Sequence, residues 1–510
     1  MPVPVEQDSN LVGLTYAEEL TLKTLPGTPV WWPLEPDSFG DFGATIKRTA
    51  RAFINASRQK KKGSITGIDS AVNFQSDLTP TNLLRLMQGF FFANAREKVS
   101  TNALNGTQIP LTTITSATTF NAASGLSIFT VGRLVKPSGC SSANNALISK
   151  VVSSTATTVV TNGVYSNETL TSSAQLDVVG FEFPTADVQI VVSGTSSIAL
   201  QAATTDLTTL GLIPGEWVFI GGDATINKFV NNVGFARIES ISSTLIKFNS
   251  TTFTAISEAG TGLTIRLFYG TVIRNEKIPS LIVQKSYQFE RTLGNDSVGV
   301  QSEYVLGAVP NEIKITVPLE DKVSCDLGFV GMTSETRTGT QGVKSGTRPS
   351  MVSEVEINTS SDIYRMRVAI VDPLTLNNAS LFGYVTNADI TIGNGVSGNK
   401  AIGVIGSFSA NAGDFDVKAT INAYFSDVAA IQAVKANASV EFNLISACRN
   451  TGLVFDIPLM GIDGSKINVE KDKSIMVPLD GMAAECPLGY TCLVTSFKYL
   501  PSIAMPNVTY

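Results

Sequence analysis

Asn311-Glu312-Ile313-Lys314-Ile315-Thr316-Val317-Pro318 alternates polar and apolar side chains, which puts Ile313, Ile315 and Val317 on one face. Period-two alternation marks a strand with one buried side. The stretch from Leu327 to Val330 repeats the pattern more weakly. The composition outside these stretches agrees. Only 16% of the 510 residues are charged, against an ordinary share of about 25%. The chain is rich in Ser, Thr, Asn, Val and Ile, and β-branched side chains suit a pleated, half-buried surface. An all-β chain with a few short helices is expected, and the length corresponds to about three domains.

There is no histidine in the chain. Ser-His-Asp and Cys-His nucleophile systems, His-containing zinc sites and histidine pH switches therefore have no imidazole to work with. The five cysteines (Cys140, Cys325, Cys448, Cys486 and Cys492) are odd in number and widely spread, so they read as reduced small hydrophobes. No run of 18 or more apolar residues occurs, and Met1 to Asp8 lacks the basic start and apolar stretch of a signal peptide. The chain is expected to be made and folded in a cytoplasm, away from a membrane. A net charge of −6 and a pI near 5.1 argue against a nucleic-acid reader, which needs a basic face.

Three regions succeed one another along the chain. In residues 1–102, Thr79 and Pro80 stand before Leu83, Leu84, Leu86, Met87, Phe90 and Phe91. This reads as a helix with Thr79 as N-cap and Pro80 in the first helical position. Residues 51–77 read as a hairpin with Arg58, Lys60, Lys61 and Lys62 at its turn. Residues 103–275 hold an internal repeat, with copies at about 103–185 and 186–275. Gly132-Arg133-Leu134-Val135, Asn144-Asn145 and the run from Leu147 to Thr155 recur as Gly215-Glu216-Trp217-Val218, Asn231-Asn232 and the run from Phe235 to Ser243. Two small barrels or one duplicated β-module would fit. In residues 276–510 strands resume, and the segment 332–350 shows no apolar period. A long loop of that kind is usually functional or disordered. Ser426-Asp427 reads as the cap of a short helix carrying Val428, Ile431 and Val434.

Several motifs invite chemistry and fail on their context. Gly393-Asn394-Gly395-Val396-Ser397-Gly398 has the dinucleotide spacing, but the residues after it cannot open the helix that would hold a pyrophosphate. Asp414-Phe415-Asp416 puts two carboxylates on one strand face without an identifiable partner across a cleft. Trp31-Trp32 lies between Pro29 and Pro33, which suits a packed or subunit-covering arm better than an open aromatic platform. No catalytic, cofactor-binding or metal-ligating residue is assigned, and neither an enzyme nor a cofactor is expected.

The order of these features resembles the major tail-tube proteins of long-tailed, siphovirus-like bacteriophages. Tyr16-Ala17-Glu18-Glu19, Leu25-Pro26-Gly27-Thr28-Pro29 and Trp32-Pro33-Leu34 are similar to that family's opening segment. A basic hairpin, the Leu-rich helix and the strand from Ser280 to Tyr287 come next, in the family's order. Tyr304, Leu306-Gly307-Ala308-Val309-Pro310-Asn311 and Leu327-Gly328-Phe329-Val330-Gly331 resemble its later signatures, as do Leu376-Asn377-Asn378, Asp414 to Phe425 and Asp456-Ile457-Pro458. The likeness covers roughly 10–100 and 275–505, and the repeat-containing segment departs from the basic family.

This resemblance implies a tail-tube β-sandwich or barrel that joins with its copies into a ring, with six copies as the expectation, and rings that stack into a tube. It implies a virion protein that works with tape-measure, terminator and tip proteins, and genomic DNA that passes through the lumen without specific binding. A mildly acidic wall would repel phosphate. Arg337, Lys344 and Arg348 in the 332–350 loop, with Trp31 and Trp32, are the candidates for inter-ring or inter-subunit contact. The alternatives are another virion component, such as a tail-tip, terminator or decoration protein, or a carbohydrate-binding module in 103–275 built on Phe129, Tyr165, Trp217 or Phe219.

Overall fold

The computed structural model describes residues 12–51, 54, 59, 61–194, 197–295, 299–351, 354–374, 376, 378–380, 385–424, 432, 436–463, 471 and 474–506. Within them the chain is an all-β protein built on antiparallel pairs, with one α-helix, Leu84–Phe90. It divides into two compact units: Met1–Ala93 with Ser280–Glu356 and Asn387–Thr420, and Asn94–Pro279 with Ile357–Thr386 and Ile421–Tyr510. The expected helix around Ser426-Asp427, and Arg58 and Lys60 of the basic run, lie outside the described residues.

The first unit is organised by the 18-residue strand Val300–Val317, which serves two sheets. Its first half pairs with Tyr287–Asn295 on one side and Thr333–Arg337 on the other. Gly13–Glu18 adds to the far edge of Tyr287–Asn295, and Trp32–Leu34 adds to Gly13–Glu18. The second half of the long strand, which contains the alternating Ile313, Ile315 and Val317, pairs with Ser324–Gly331 and with Ala388 to Gly393. Lys61–Asp77 joins beyond Ser324–Gly331, and Pro36–Arg51 beyond that. The core between these sheets is aromatic. Phe329 lies 4.7 Å from Phe289, 5.1 Å from Phe90 and 6.2 Å from Phe74, ring centre to ring centre.

The helix begins later than the sequence suggests. Thr79 and Asn82 hydrogen-bond each other's side chains and backbone amides (3.3 and 3.4 Å), which closes a turn before the helix, and the N-cap position falls at Leu83 with no side-chain cap. Burial holds this short helix in place, since Leu84, Leu86, Met87 and Phe90 are all enclosed. Seven residues are too few for a helix to persist on propensity alone.

In the second unit the two copies of the repeat have the same element order. Gly132 and Gly215 both adopt positive φ (87° and 92°), and each amide bonds to the strand that pairs with the one it leads into, at Val151 O and Ile238 O. The amides of Leu126 and Leu207 likewise reach Ala156 O and Ser243 O. The Asn pairs mark a matching side-chain lock. Asn145 Nδ2 donates to Ser166 O (2.9 Å) and Glu168 Oε1 (2.8 Å), while its Oδ1 accepts from Ser166 N (2.7 Å). Asn232 does the same with Ile256 O, Glu258 Oε2 and Ile256 N at 3.0, 2.7 and 3.0 Å. Both asparagines are fully buried, where an unmet amide would carry its whole desolvation cost.

The repeat does not end the second unit. Thr271–Arg274 pairs with Leu493–Phe497, which continues through Thr451–Asp463 and Ser439–Cys448 to Ile363–Val371. Trp217, Phe219 and Phe235 of the second copy pack in one core with Tyr490, Leu493 and Phe497.

Candidate functional site

The segment 332–350, expected as a long loop without regular structure, is a strand joined to a clamp. Thr333–Arg337 pairs with Val300–Val317, and Gly339–Gln341 forms a 3-10 turn. Its sequence hides the strand because neither face is apolar: Thr333, Glu335 and Arg337 alternate with Ser334 and Thr336, so no hydrophobic period exists to be read. The remainder lies against the first unit's own surface. Trp31 N donates to Thr347 O (2.8 Å), Thr347 N to Pro29 O (2.9 Å), and Trp31 Nε1 to Ser345 O (3.1 Å). Gly346 makes this approach possible. Its φ is +139°, and a Cβ there would stand 2.5 Å from Pro29 O and 2.8 Å from Trp31 Cδ1.

The basic candidates meet acids of the same chain. Arg348 Nη2 donates to Glu290 Oε2 at 2.6 Å, and its guanidinium lies 5.4 Å from the Trp31 ring. Tyr304 Oη donates to the same carboxylate, and its oxygen accepts from Lys344 N at 2.9 Å. The Lys344 ammonium bonds Gln288 Oε1 (2.8 Å) and Glu335 Oε1 (2.7 Å) and sits 4.5 Å over the Tyr304 ring. Arg337 Nε bonds Glu335 Oε1 at 3.0 Å. Burial alone would raise Glu335, yet Lys344 and Arg337 bring its carboxyl below the ordinary range. Burial lowers Lys344 and raises Tyr304, the latter helped by Glu290. Trp31 is fully enclosed, while half-buried Trp32 carries the Arg85 guanidinium 4.2 Å over its ring.

The five candidates therefore lie in one unit, and Trp31, Arg337, Lys344 and Arg348 share a single network. Their acid partners were not visible in the sequence. Tyr287-Gln288-Phe289-Glu290 reads as a strand with a wet second face, but the clamp covers that face, so Gln288 and Glu290 are buried.

The surface left open lies elsewhere. The hairpin runs from Pro36–Arg51 into Lys61–Asp77, longer than the 51–77 expected, because Ser, Thr and charged residues conceal the first strand. Its 16-residue first strand spans roughly 50 Å at about 3.3 Å per residue. Every residue from Ala44 to Arg51 is exposed, including Ile46, Lys47, Arg48 and Arg51, and Lys61, Lys62 and Ile65 are exposed on the return strand. Among the described residues the outer edge of Pro36–Arg51 pairs with no further strand. A long unpaired edge is a template for another chain. Its base carries Glu35, Asp37, Asp41 and Asp77, with Lys322 bonded to Asp77 at 2.7 Å. Burial, with Asp77 beside it, raises the Asp37 carboxyl.

In the second unit, charge is used inside the core. Arg237 is fully enclosed, with Asp456 at 3.0 Å and Glu441 at 2.8 Å, and Arg365 and Arg367 stand near the same carboxylates. Burial raises the Asp456 carboxyl to about 6 against the pull of Arg237. Phe129, Tyr165, Trp217 and Phe219, which a sugar-binding surface would need in the open, are buried. Among the described residues no group of three or more metal-ligating side chains gathers, and no helix is long and apolar enough to cross a membrane.

The described residues thus form an all-β protein whose longest hairpin leaves one sheet edge open. The family model for phage tail tube proteins matches residues 9–483, nearly the whole chain, and the chain belongs to that family. It is therefore a virion component of a bacteriophage. A search of curated proteins found no match.

Proposed function

We propose that the chain polymerises into rings, six copies to a ring, and that the rings stack into a hollow tail tube through which the genome leaves during ejection. The observation that carries this reading is the hairpin 36–77. An arm roughly 50 Å long, with its outer edge unpaired and its distal half exposed on both faces, is poorly supported by its own unit. Pairing with the next copy would satisfy its edge, and a head-to-tail contact of this kind closes into a ring when the rotation allows. Charge agrees, because the distal half holds Lys47, Arg48, Arg51, Lys61 and Lys62 while the chain as a whole is acidic at −6. That acidity also favours a lumen that repels phosphate.

Synthesis in the host cytoplasm, a non-enzymatic role, and tape-measure, terminator and tip proteins as partners belong to the same reading. The repeat-containing segment 103–275 is assigned to the tube's exterior. Arg337, Lys344 and Arg348 are proposed to support the contact by holding the 332–350 clamp in shape, since their charges are already met within the chain. The test compares the full chain with a variant in which residues 47–67 are replaced by a two-residue Asn-Gly turn, so that the facing pair Ile46 and Ile68 flanks the new turn. Sedimentation and negative-stain microscopy should show rings or tubes from the full chain and monomers of unchanged melting from the variant. Equal assembly by both would show that the arm has no part in ring formation.

A further inference from the structure

The tight loop after the Gly393 to Gly398 motif carries apolar side chains that are left open among the described residues. A two-stranded hairpin, Ser397–Asn399 with Ser409–Asn411, leads into residues 400–408. Ile402 is fully exposed at its tip (106%), and Ile405 (63%), Phe408 (50%) and Val404 (45%) are open beside it. Single exposed hydrophobes are ordinary, but a contiguous group marks an interaction site. No charged residue occurs from Ala401 to Gly413.

The loop is held at both roots. Lys400 pairs with Asp69 of the long hairpin, and Asp69 also pairs with Lys47. At the other root Ser407 N donates to Met332 O (3.2 Å), Lys23 Nζ to Ser407 O (2.9 Å), and Phe408 N to Asn399 O (3.0 Å). Gly406, at φ +91°, would bring a Cβ within 2.8 Å of Met332 O, so the chain passes close to the Met332 backbone. A fixed apolar knuckle binds without the cost of ordering itself.

From this geometry we infer that the knuckle formed by Ile402, Val404, Ile405 and Phe408 docks against the exposed distal half of the hairpin of a second copy of this chain, where Ile46 and Ile65 lie open. Four side chains bury a few hundred Å² at most, whereas a stable interface takes about 1,200–2,000 Å². The knuckle therefore works only as part of a larger contact. Asp69 ties it to the arm that already presents an unpaired edge, and the absence of charge disfavours nucleic acid or an anionic membrane as occupant. This inference rests on the ring reading above and adds an apolar anchor to its edge pairing.

The test uses the full chain and the triple variant Ile402→Ser, Ile405→Ser, Phe408→Ser. These side chains are exposed, so the variant should fold and melt as the native chain does while needing at least about tenfold more protein to form rings or tubes. Native assembly matched by equal assembly of the variant overturns the knuckle and leaves the ring reading standing. A native chain that stays monomeric at every concentration overturns both. In a second measurement, Ile402→p-benzoylphenylalanine is irradiated in assembled tails. Cross-linked dimers of this chain support the inference, and cross-links only to a different virion protein contradict the choice of a second copy.

Discussion

Arg237 Nη1 and Asp456 Oδ1 stand 3.0 Å apart with both side chains fully enclosed, joining a strand of the second repeat copy to one near the end of the second unit. Glu441 completes the arrangement at 2.8 Å. A buried ion pair is costly to assemble and costly to break, because the surviving charge keeps its desolvation penalty. Asp456→Ala should therefore destabilise the second unit by about 3–5 kcal/mol, read as a fall in urea midpoint. A change below about 1 kcal/mol would mean that Glu441 alone satisfies Arg237.

The same carboxyl gives a pH dependence of unusual sign. Burial raises Asp456 from an unfolded value of 3.8 to about 6. Between these values the folded chain holds a proton that the unfolded chain has lost, so this group's stabilising contribution is complete below about pH 4 and is lost as pH rises through about 6. On going from pH 8 to pH 5, the native chain should gain thermal stability relative to Asp456→Asn, which does not titrate. A melting difference that is the same at both pH values would show that the carboxyl is ionised throughout.

Asn145 and Asn232 lock equivalent places in the two repeat copies with the same three hydrogen bonds. Replacing either with Leu leaves buried backbone groups and a glutamate without their partner, at about 1–3 kcal/mol each. The two sites share no hydrogen-bond partner, so the double variant should show the sum within about 0.5 kcal/mol. Marked non-additivity in chemical denaturation would indicate that the copies do not hold themselves independently.

Gly346 permits the clamp over Trp31, and Gly346→Ala should lift it. The expected readout is tryptic cleavage after Lys344, whose following residue is Ser345, at least about tenfold faster than in the native chain at equal secondary-structure signal. Unchanged cleavage would show that the clamp tolerates a Cβ at φ +139°.

Elements with a hydrophobic period or a constrained residue are legible in the sequence, and polar elements without either are not. Ile313, Ile315 and Val317 announce their strand because one face is wet. The repeat is legible through Gly132 and Gly215 because a positive φ narrows the choice of residue, and through Asn145 and Asn232 because a buried amide needs a fixed set of partners. Thr333–Arg337 and the first strand of the long hairpin escape because their polar side chains carry no hydrophobic alternation. Glu290 and Gln288 look like a solvated face, since the cover over them comes from a segment more than fifty residues away. The exposed knuckle reads as an ordinary apolar run, because whether Ile402 points inward or outward is a tertiary fact.

The most direct test of the tube reading is negative-stain electron microscopy of the purified full-length chain over a range of concentrations. Hollow tubes of regularly stacked rings, six-fold in end view, are predicted. Monodisperse monomers at every concentration, with no rings or tubes, would contradict it.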